Sequence, residues 1–200
     1  MKIGFVFECG PQGADKQVCE YLAGKLVPEA SFVSRTLDNK ANLLSQAATV
    51  AAALLDDGCE RVLIIWDLRP AWPDMAHKPC RHIERVALQD ALEKTGLEGA
   101  APVFLVCIEQ ELESWILADD DNLSRFLSTD AHAYPVKRIR HPDREKQPKA
   151  LLIGHFKQAR GWRYDDKVHA VKVLSTSEPN WNRLRRSLSF VRFETKILGE

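Results

Sequence analysis

The 200-residue chain has no apolar run near the ~20 residues a helix needs to span a bilayer. It has no Cys-x-x-Cys pair, and its five cysteines (Cys9, Cys19, Cys59, Cys80 and Cys107) are an odd number. That argues against a disulfide framework and leads to the expectation of a reducing, cytoplasmic location. There is no Gly-x-Ser-x-Gly elbow, so no hydrolase triad is indicated. The turn Glu8-Cys9-Gly10-Pro11-Gln12-Gly13 is neither a Gly-x-Gly-x-x-Gly fingerprint nor a Walker loop, which weakens a nucleotide-binding reading. His77, Cys80 and His82 lack the second close pair of an ordinary zinc site. None of the three tyrosines, Tyr21, Tyr134 and Tyr164, stands in a recognisable nucleophile setting. Net charge is zero, with 28 Lys and Arg against 28 Asp and Glu.

What is present suits one globular domain. The hydrophobic fraction is 45% and the charged fraction 28%, which argues against disorder. The opening MKIGFVFECG reads as a first strand, not a signal peptide. The zero net charge hides an asymmetry: residues 1–130 hold 12 Lys and Arg against 21 Asp and Glu, and residues 131–200 hold 16 against 7. Two readings stay open, an acidic metal site beside a phosphate-attracting surface or two halves that neutralise each other in contact.

Hydrophobic period gives the organisation. Ile3 to Phe7 reads as a short buried strand. Val18, Leu22 and Leu26 then make a helical stripe closed by Pro28. Phe32 to Leu37 is a second strand. A helix from about Ala41 to Asp57 carries Leu44, Ala47, Ala48, Ala51 and Leu55 on one side, with Gly58 placed to end it. Arg61 to Trp66 is a continuous apolar strand of the kind covered on both faces. A loop with Pro70, Pro73 and Pro79 leads to a helix from about Arg81 to Thr95, stopped by Gly96. Pro102 to Ile108 is the fourth strand. This β-α alternation predicts an α/β fold: a mostly parallel sheet with helices on both faces, over residues 1–118. Residues 119–200 read as a basic, largely helical elaboration of the same domain. It holds a short helix to Leu127 capped by Asp121, a loop over 131–148, and helices from about Lys149 to Arg160 and Pro179 to Leu188.

Acidic residues follow three of the strands: Glu8 after the first, Asp67 after the third, and Glu109, Glu111 and Glu113 after the fourth. In a parallel sheet these ends share one edge, where ligands bind. Clustered carboxylates repel and resist desolvation, so a divalent cation would relieve them. Magnesium suits the cluster, because it takes hard oxygen ligands and keeps several waters. Acids also follow strands simply as turn residues and helix starts, and Glu111 or Glu113 has that alternative before Trp115, Ile116 and Leu117.

Glu8-Cys9-Gly10 after strand one and Asp67 after strand three resemble the Toprim domain of topoisomerases, bacterial primases and overcoming-lysogenization-defect nucleases. The Toprim pattern has Asp-x-Asp at the second place, where this chain reads Asp67-Leu68-Arg69. The whole chain is similar to a Toprim-related family called domain of unknown function 4276. The segments that carry this are Glu111-Leu112-Glu113-Ser114-Trp115-Ile116-Leu117-Ala118-Asp119, Pro148-Lys149-Ala150-Leu151-Leu152 and Tyr164-Asp165-Asp166-Lys167. The resemblance implies a Toprim-like fold and a metal-dependent nuclease role in bacterial defence against phage. On that reading Glu8, Asp67, Glu111 and Glu113 are catalytic and hold Mg²⁺ or Mn²⁺, and Asp74 is a substitute ligand in place of Arg69. Lys149 and Lys167 contact phosphates, or are solvated lysines on a helix face. The partner is DNA or RNA, with no membrane. Arg69 favours the alternative, a non-catalytic partner of an ATPase. Trp181 with Arg183, Arg185 and Arg186 offers a basic helix for nucleic acid, or a core tryptophan with solvated arginines.

Overall fold

The computed structural model describes residues 1–69, 79–97 and 102–199. Pro70, Pro73, Asp74 and His77 of the sequence reading lie outside the described residues. Four strands form the sheet: β1 (Lys2–Phe7), β2 (Ser31–Thr36), β3 (Arg61–Asp67) and β4 (Val103–Ile108). Every pairing is parallel and the order is β2-β1-β3-β4. Helices α1 (Ala14–Leu26), α2 (Lys40–Asp56) and α3 (Arg81–Lys94) lie between consecutive strands. This is the α/β architecture that the alternating pattern predicts.

The apolar run of β3 explains its central place. Leu63 and Ile65 enter the core on the α1 face, while Val62, Ile64 and Trp66 enter the core under α2 and α3. Each such side chain contributes about 1.5–3 kcal/mol on burial. α2 starts at Asn39, whose Oδ1 accepts from the Asn42 N–H at 2.8 Å. It ends at Gly58 in the left-handed region, with φ +85°. Its buried stripe is Leu43, Ala47, Ala48, Ala51 and Leu54; Leu44 and Leu55 are only partly buried, so the core face is rotated from the one predicted.

Beyond β4 come α4 (Glu113–Ala118), α5 (Asp120–Leu127), a 3-10 turn (Pro142–Arg144) and α6 (Pro148–Arg160). They are followed by α7 (Asp166–Leu174), α8 (Trp181–Leu184) and α9 (Leu188–Leu198). All of them thicken the α1 face: Trp115, Leu123, Phe156, Phe190 and Phe193 share one core with Phe5 and Phe7. Three expectations are corrected. Asp119, not Asp121, caps α5, its Oδ1 accepting from the Asn122 N–H. The helix expected over 179–188 is only the four residues of α8. Ser187 interrupts it and starts α9 by accepting from the Phe190 N–H at 3.1 Å. α7 is an additional helix whose short apolar stripe, Ala170, Val173 and Leu174, becomes legible only against α1 and α5. Among the described residues no helix is long and apolar enough to cross a membrane.

Candidate active site

At the carboxyl edge of the sheet, β1 neighbours both β2 and β3, and the chain winds away from β1 in opposite directions. That is the switch point where α/β sheets leave a crevice. A cavity of about 470 Å³ opens there. Its walls include all six predicted site residues: Glu8, Asp67, Glu111, Glu113, Lys149 and Lys167. Asp15, Asp38, Arg69 and Asp166 join them.

Local structure explains each placement. Glu8 directly follows β1 and donates its N–H to the Ile65 carbonyl of β3 at 3.2 Å, so it stands beside the end of β3. The loop after it closes when the Gly13 N–H reaches the Gly10 carbonyl at 2.8 Å. A Cβ at Gly13 would collide with the Cys9 side chain, so only glycine fits that turn. The turn delivers Asp15 in the first turn of α1. Asp67 ends β3, and its Oδ2 accepts the Leu112 N–H at 3.3 Å. Asp38 and Gln110 follow β2 and β4 with φ of 68° and 66°, a left-handed backbone that bends the chain over the crevice edge.

The Glu-x-Glu-x-Trp segment also gains a physical reading. Trp115 is fully buried, donates from Nε1 to Ser189 Oγ at 2.8 Å and packs on Phe190 and Phe193. This anchors α4 so that its first residue, Glu113, is held buried at the pocket. Glu111 Oε2 accepts the Lys149 N–H at 3.3 Å and fixes the start of α6. Glu109, grouped with these two in the sequence, is not in the pocket wall; its carboxylate pairs with Arg81 and Arg192 instead.

The electrostatics are those of a cluster short of positive charge. Burial first, then the charges of Asp15, Glu113 and Glu8, hold the Asp67 carboxyl well above its ordinary range. Burial and the neighbouring Glu8 and Asp166 push Asp15 up to about 7. Burial raises Glu113 to about 7 against the lowering influence of Lys149. Burial and Asp15 push the Cys9 thiol up to about 12, which keeps it an inert neutral group. Burial alone would raise Asp166, but the Lys149 ammonium bound to it at 2.6 Å holds it below the usual carboxylate range. The same ammonium stands 3.6 Å from Glu113. Lys149 therefore serves the carboxylates in this structure, while Lys167 is exposed on the rim.

The donor set fits a hard divalent cation. Among the described residues Asp67 Oδ1 is buried and accepts no hydrogen bond, while buried Glu113 Oε1 accepts none but faces the Lys149 ammonium at 3.6 Å. Among the described residues no three His, Cys, Asp or Glu side chains are grouped to hold one ion by themselves. Magnesium commonly takes only one or two carboxylates and completes its shell with water, a demand that the orphaned Asp67 Oδ1, with Glu113 beside Lys149, would meet.

No protein-family model, curated protein or solved structure matches the chain.

Further residues escaped the sequence reading, Asp38 of the pocket wall among them. Asp15 reads in sequence as an ordinary acid in a helix first turn. Lys40, fully buried, donates from Nζ to the Asp67 carbonyl at 2.9 Å and pairs with buried Glu84 at 3.4 Å. Glu84 in turn accepts from Trp66 Nε1 at 2.8 Å. This ion pair on the opposite face of the sheet fixes the end of β3, and no local pattern announces it.

The basic helix reading is corrected. Arg183 pairs with Asp120 and Asp121, Arg185 forms a bidentate pair with Glu194, and Arg186 pairs with Asp120. Trp181 is partly buried and stacks on Phe190. These arginines bind the fold's own carboxylates, and at Arg183 and Arg186 the two oppositely charged parts of the chain neutralise each other.

Proposed function

We propose that the pocket is a magnesium- or manganese-dependent phosphodiesterase site acting on DNA or RNA. The observation that carries this reading is Asp67. It is a strand-end carboxylate at the switch point, its Oδ1 buried without a partner and its charge opposed by Asp15, Glu113 and Glu8. Asp67 and Glu113 would hold the ion. When bound, the ion neutralises the cluster and polarises a phosphate oxygen. Glu8 takes the proton of the attacking water. Lys149, Lys167 and Arg69 present positive charge to the phosphate and to the charge that develops on it. Glu111 keeps the start of α6, and with it Lys149, at the pocket wall. The Toprim likeness of Glu8-Cys9-Gly10 and Asp67 supports the same reading, and with it a role in bacterial defence against phage.

The test is incubation with plasmid, single-stranded DNA and RNA, with Mn²⁺ and with chelator. Metal-dependent cleavage is expected, falling by on the order of 10² or more in Asp67→Asn, as when a group aimed at the reacting centre is lost. A metal-binding preparation that cuts none of the three substrates overturns the proposal.

One observation favours a second reading, a non-catalytic partner of an ATPase. Lys149 already neutralises part of the cluster and Arg69 lines the same pocket. That reading expects a stable complex whose activity survives Asp67→Ala, and fails if the variant assembles but is dead.

A further inference from the structure

Residues 137–146 form a segment whose charges behave unlike those of α8. Lys137, Arg138, Arg140, Arg144 and Lys146 are all exposed, and among the described residues none of their side chains carries an ion pair. The two acids of the stretch form no ion pair with them. Asp143 is buried and its carboxylate accepts from Ser187 and Ser189; Glu145 Oε1 accepts the Gln147 N–H at 3.3 Å.

The backbone of the segment is nailed down from below. Ser124 Oγ accepts the Val136 N–H at 2.9 Å, and Arg186 donates to the Ile139 carbonyl at 2.6 Å. The Asp143 contacts fix the 3-10 turn. Buried anchors thus alternate with outward cations, and the cations need not be ordered from a floppy loop. The segment also ends at the pocket: Gln147 leads into α6, and Lys149, two residues on, lies in the pocket wall.

We propose that residues 137–146 are a docking strap for the sugar-phosphate backbone of a nucleic acid, leading one strand into the carboxylate pocket. This rests on the phosphodiesterase reading of the pocket. Unpaired cations carried on an anchored backbone gain affinity by releasing the counterions of the phosphates they contact. An acidic pocket repels a polyanion, so a cationic lead beside it supplies the attraction the pocket lacks.

The experiment uses the Asp67→Asn chain with Mn²⁺, so that binding is read without cleavage. Labelled single-stranded DNA, duplex DNA and single-stranded RNA are titrated by fluorescence anisotropy at several salt concentrations, with poly-glutamate as competitor. Replacing Arg138, Arg140 and Arg144 together by Gln should weaken binding about tenfold or more. It should also make the salt slope shallower by about 2, since each lost contact removes roughly 0.7–0.9. The same three positions as Lys should restore most of the affinity. Arg85→Gln with Lys94→Gln, exposed cations on α3, should change nothing. Unchanged binding in the triple Gln variant overturns the strap. So does poly-glutamate that binds as tightly through the same arginines, because the occupant is then an acidic polypeptide. The phosphodiesterase reading is judged separately, by Mn²⁺-dependent hydrolysis of bis(p-nitrophenyl) phosphate by the unsubstituted chain. Hydrolysis without strap-dependent binding sinks the strap alone, and absent hydrolysis with strap-dependent binding sinks the chemistry alone.

Discussion

Asp143 and Asp67 lie in the same protein and are treated in opposite ways. Asp143 is buried behind the 3-10 turn, and its oxygens accept from Ser187 Oγ at 2.6 Å, Ser189 Oγ at 3.1 Å and the Ser189 N–H at 2.8 Å. Asp67 has one backbone donor, Leu112, an orphaned Oδ1, and three carboxylates pressing on it. The first acid is a staple, its charge spread over donors the fold supplies. The second is held against its own electrostatics, with only the Leu112 N–H bonded to its carboxylate among the described residues. Buried polar groups left without partners are rare because they destabilise the fold, and on the function proposed above the difference is that Asp67 awaits a ligand and Asp143 does not.

The sharpest way to break this comparison is to remove Asp143. Asp143→Ala strands the Ser187 and Ser189 donors at the start of α9, and should lower unfolding free energy by about 3 kcal/mol or more. Urea denaturation measures this; a loss too small to resolve would mean that Asp143 staples nothing. Next in size is metal. Mn²⁺ at a hundred times its dissociation constant should stabilise the chain by about 2.7 kcal/mol, read as a raised melting temperature that chelator reverses. Asp67→Asn should abolish that shift. In metal-free buffer the same variant should be slightly more stable than the parent, by about 1 kcal/mol, because it removes a charge the site cannot satisfy. If Asp67→Asn is clearly less stable without metal, Asp67 is a staple like Asp143.

The remaining test is a pH slope. The folded carboxyls of Asp15 and Glu113 are raised to about 7, above the roughly 4 expected when unfolded. Between these values the folded chain binds more protons than the unfolded one, so stability falls as pH rises. The contribution is fully present below the unfolded value and is lost as pH passes through about 7. Metal-free melts at pH 5, 6, 7 and 8 should show it, by up to about 1.4 kcal/mol per pH unit for each group. Saturating Mn²⁺ should flatten it, since the ion replaces the proton.

Much of the frame is legible in the sequence. The strand of Arg61 to Trp66 is a long apolar run because both faces are covered, and Gly58 and Gly96 mark helix ends with φ of 85° and 74°. Glu8 and Asp67 are visible because each is the first acid after such a run. The rest is hidden for identifiable reasons. α9 carries a clear stripe, Phe190, Phe193 and Ile197, but the start of that helix is set by Ser187, whose capping role depends on the chain around it. Arg183 and Arg186 look like a nucleic-acid face until Asp120 is found beneath them. The strap cations look like any charged loop until the absence of partners distinguishes them.

The sequence by itself determines the alternation of strands and helices, the parallel sheet, and the rule that acids following strands gather at one edge. These follow from local period and from the shared direction of parallel strands. Only the tertiary structure decides that β1 lies against β3, so that Glu8 and Asp67 become neighbours. It alone brings α1, α6 and α7 to the same crevice with Asp15, Lys149 and Asp166. The reason is physical. Strand order and helix docking are fixed by burying two apolar faces at once, a condition on residues far apart in the chain that no local pattern carries.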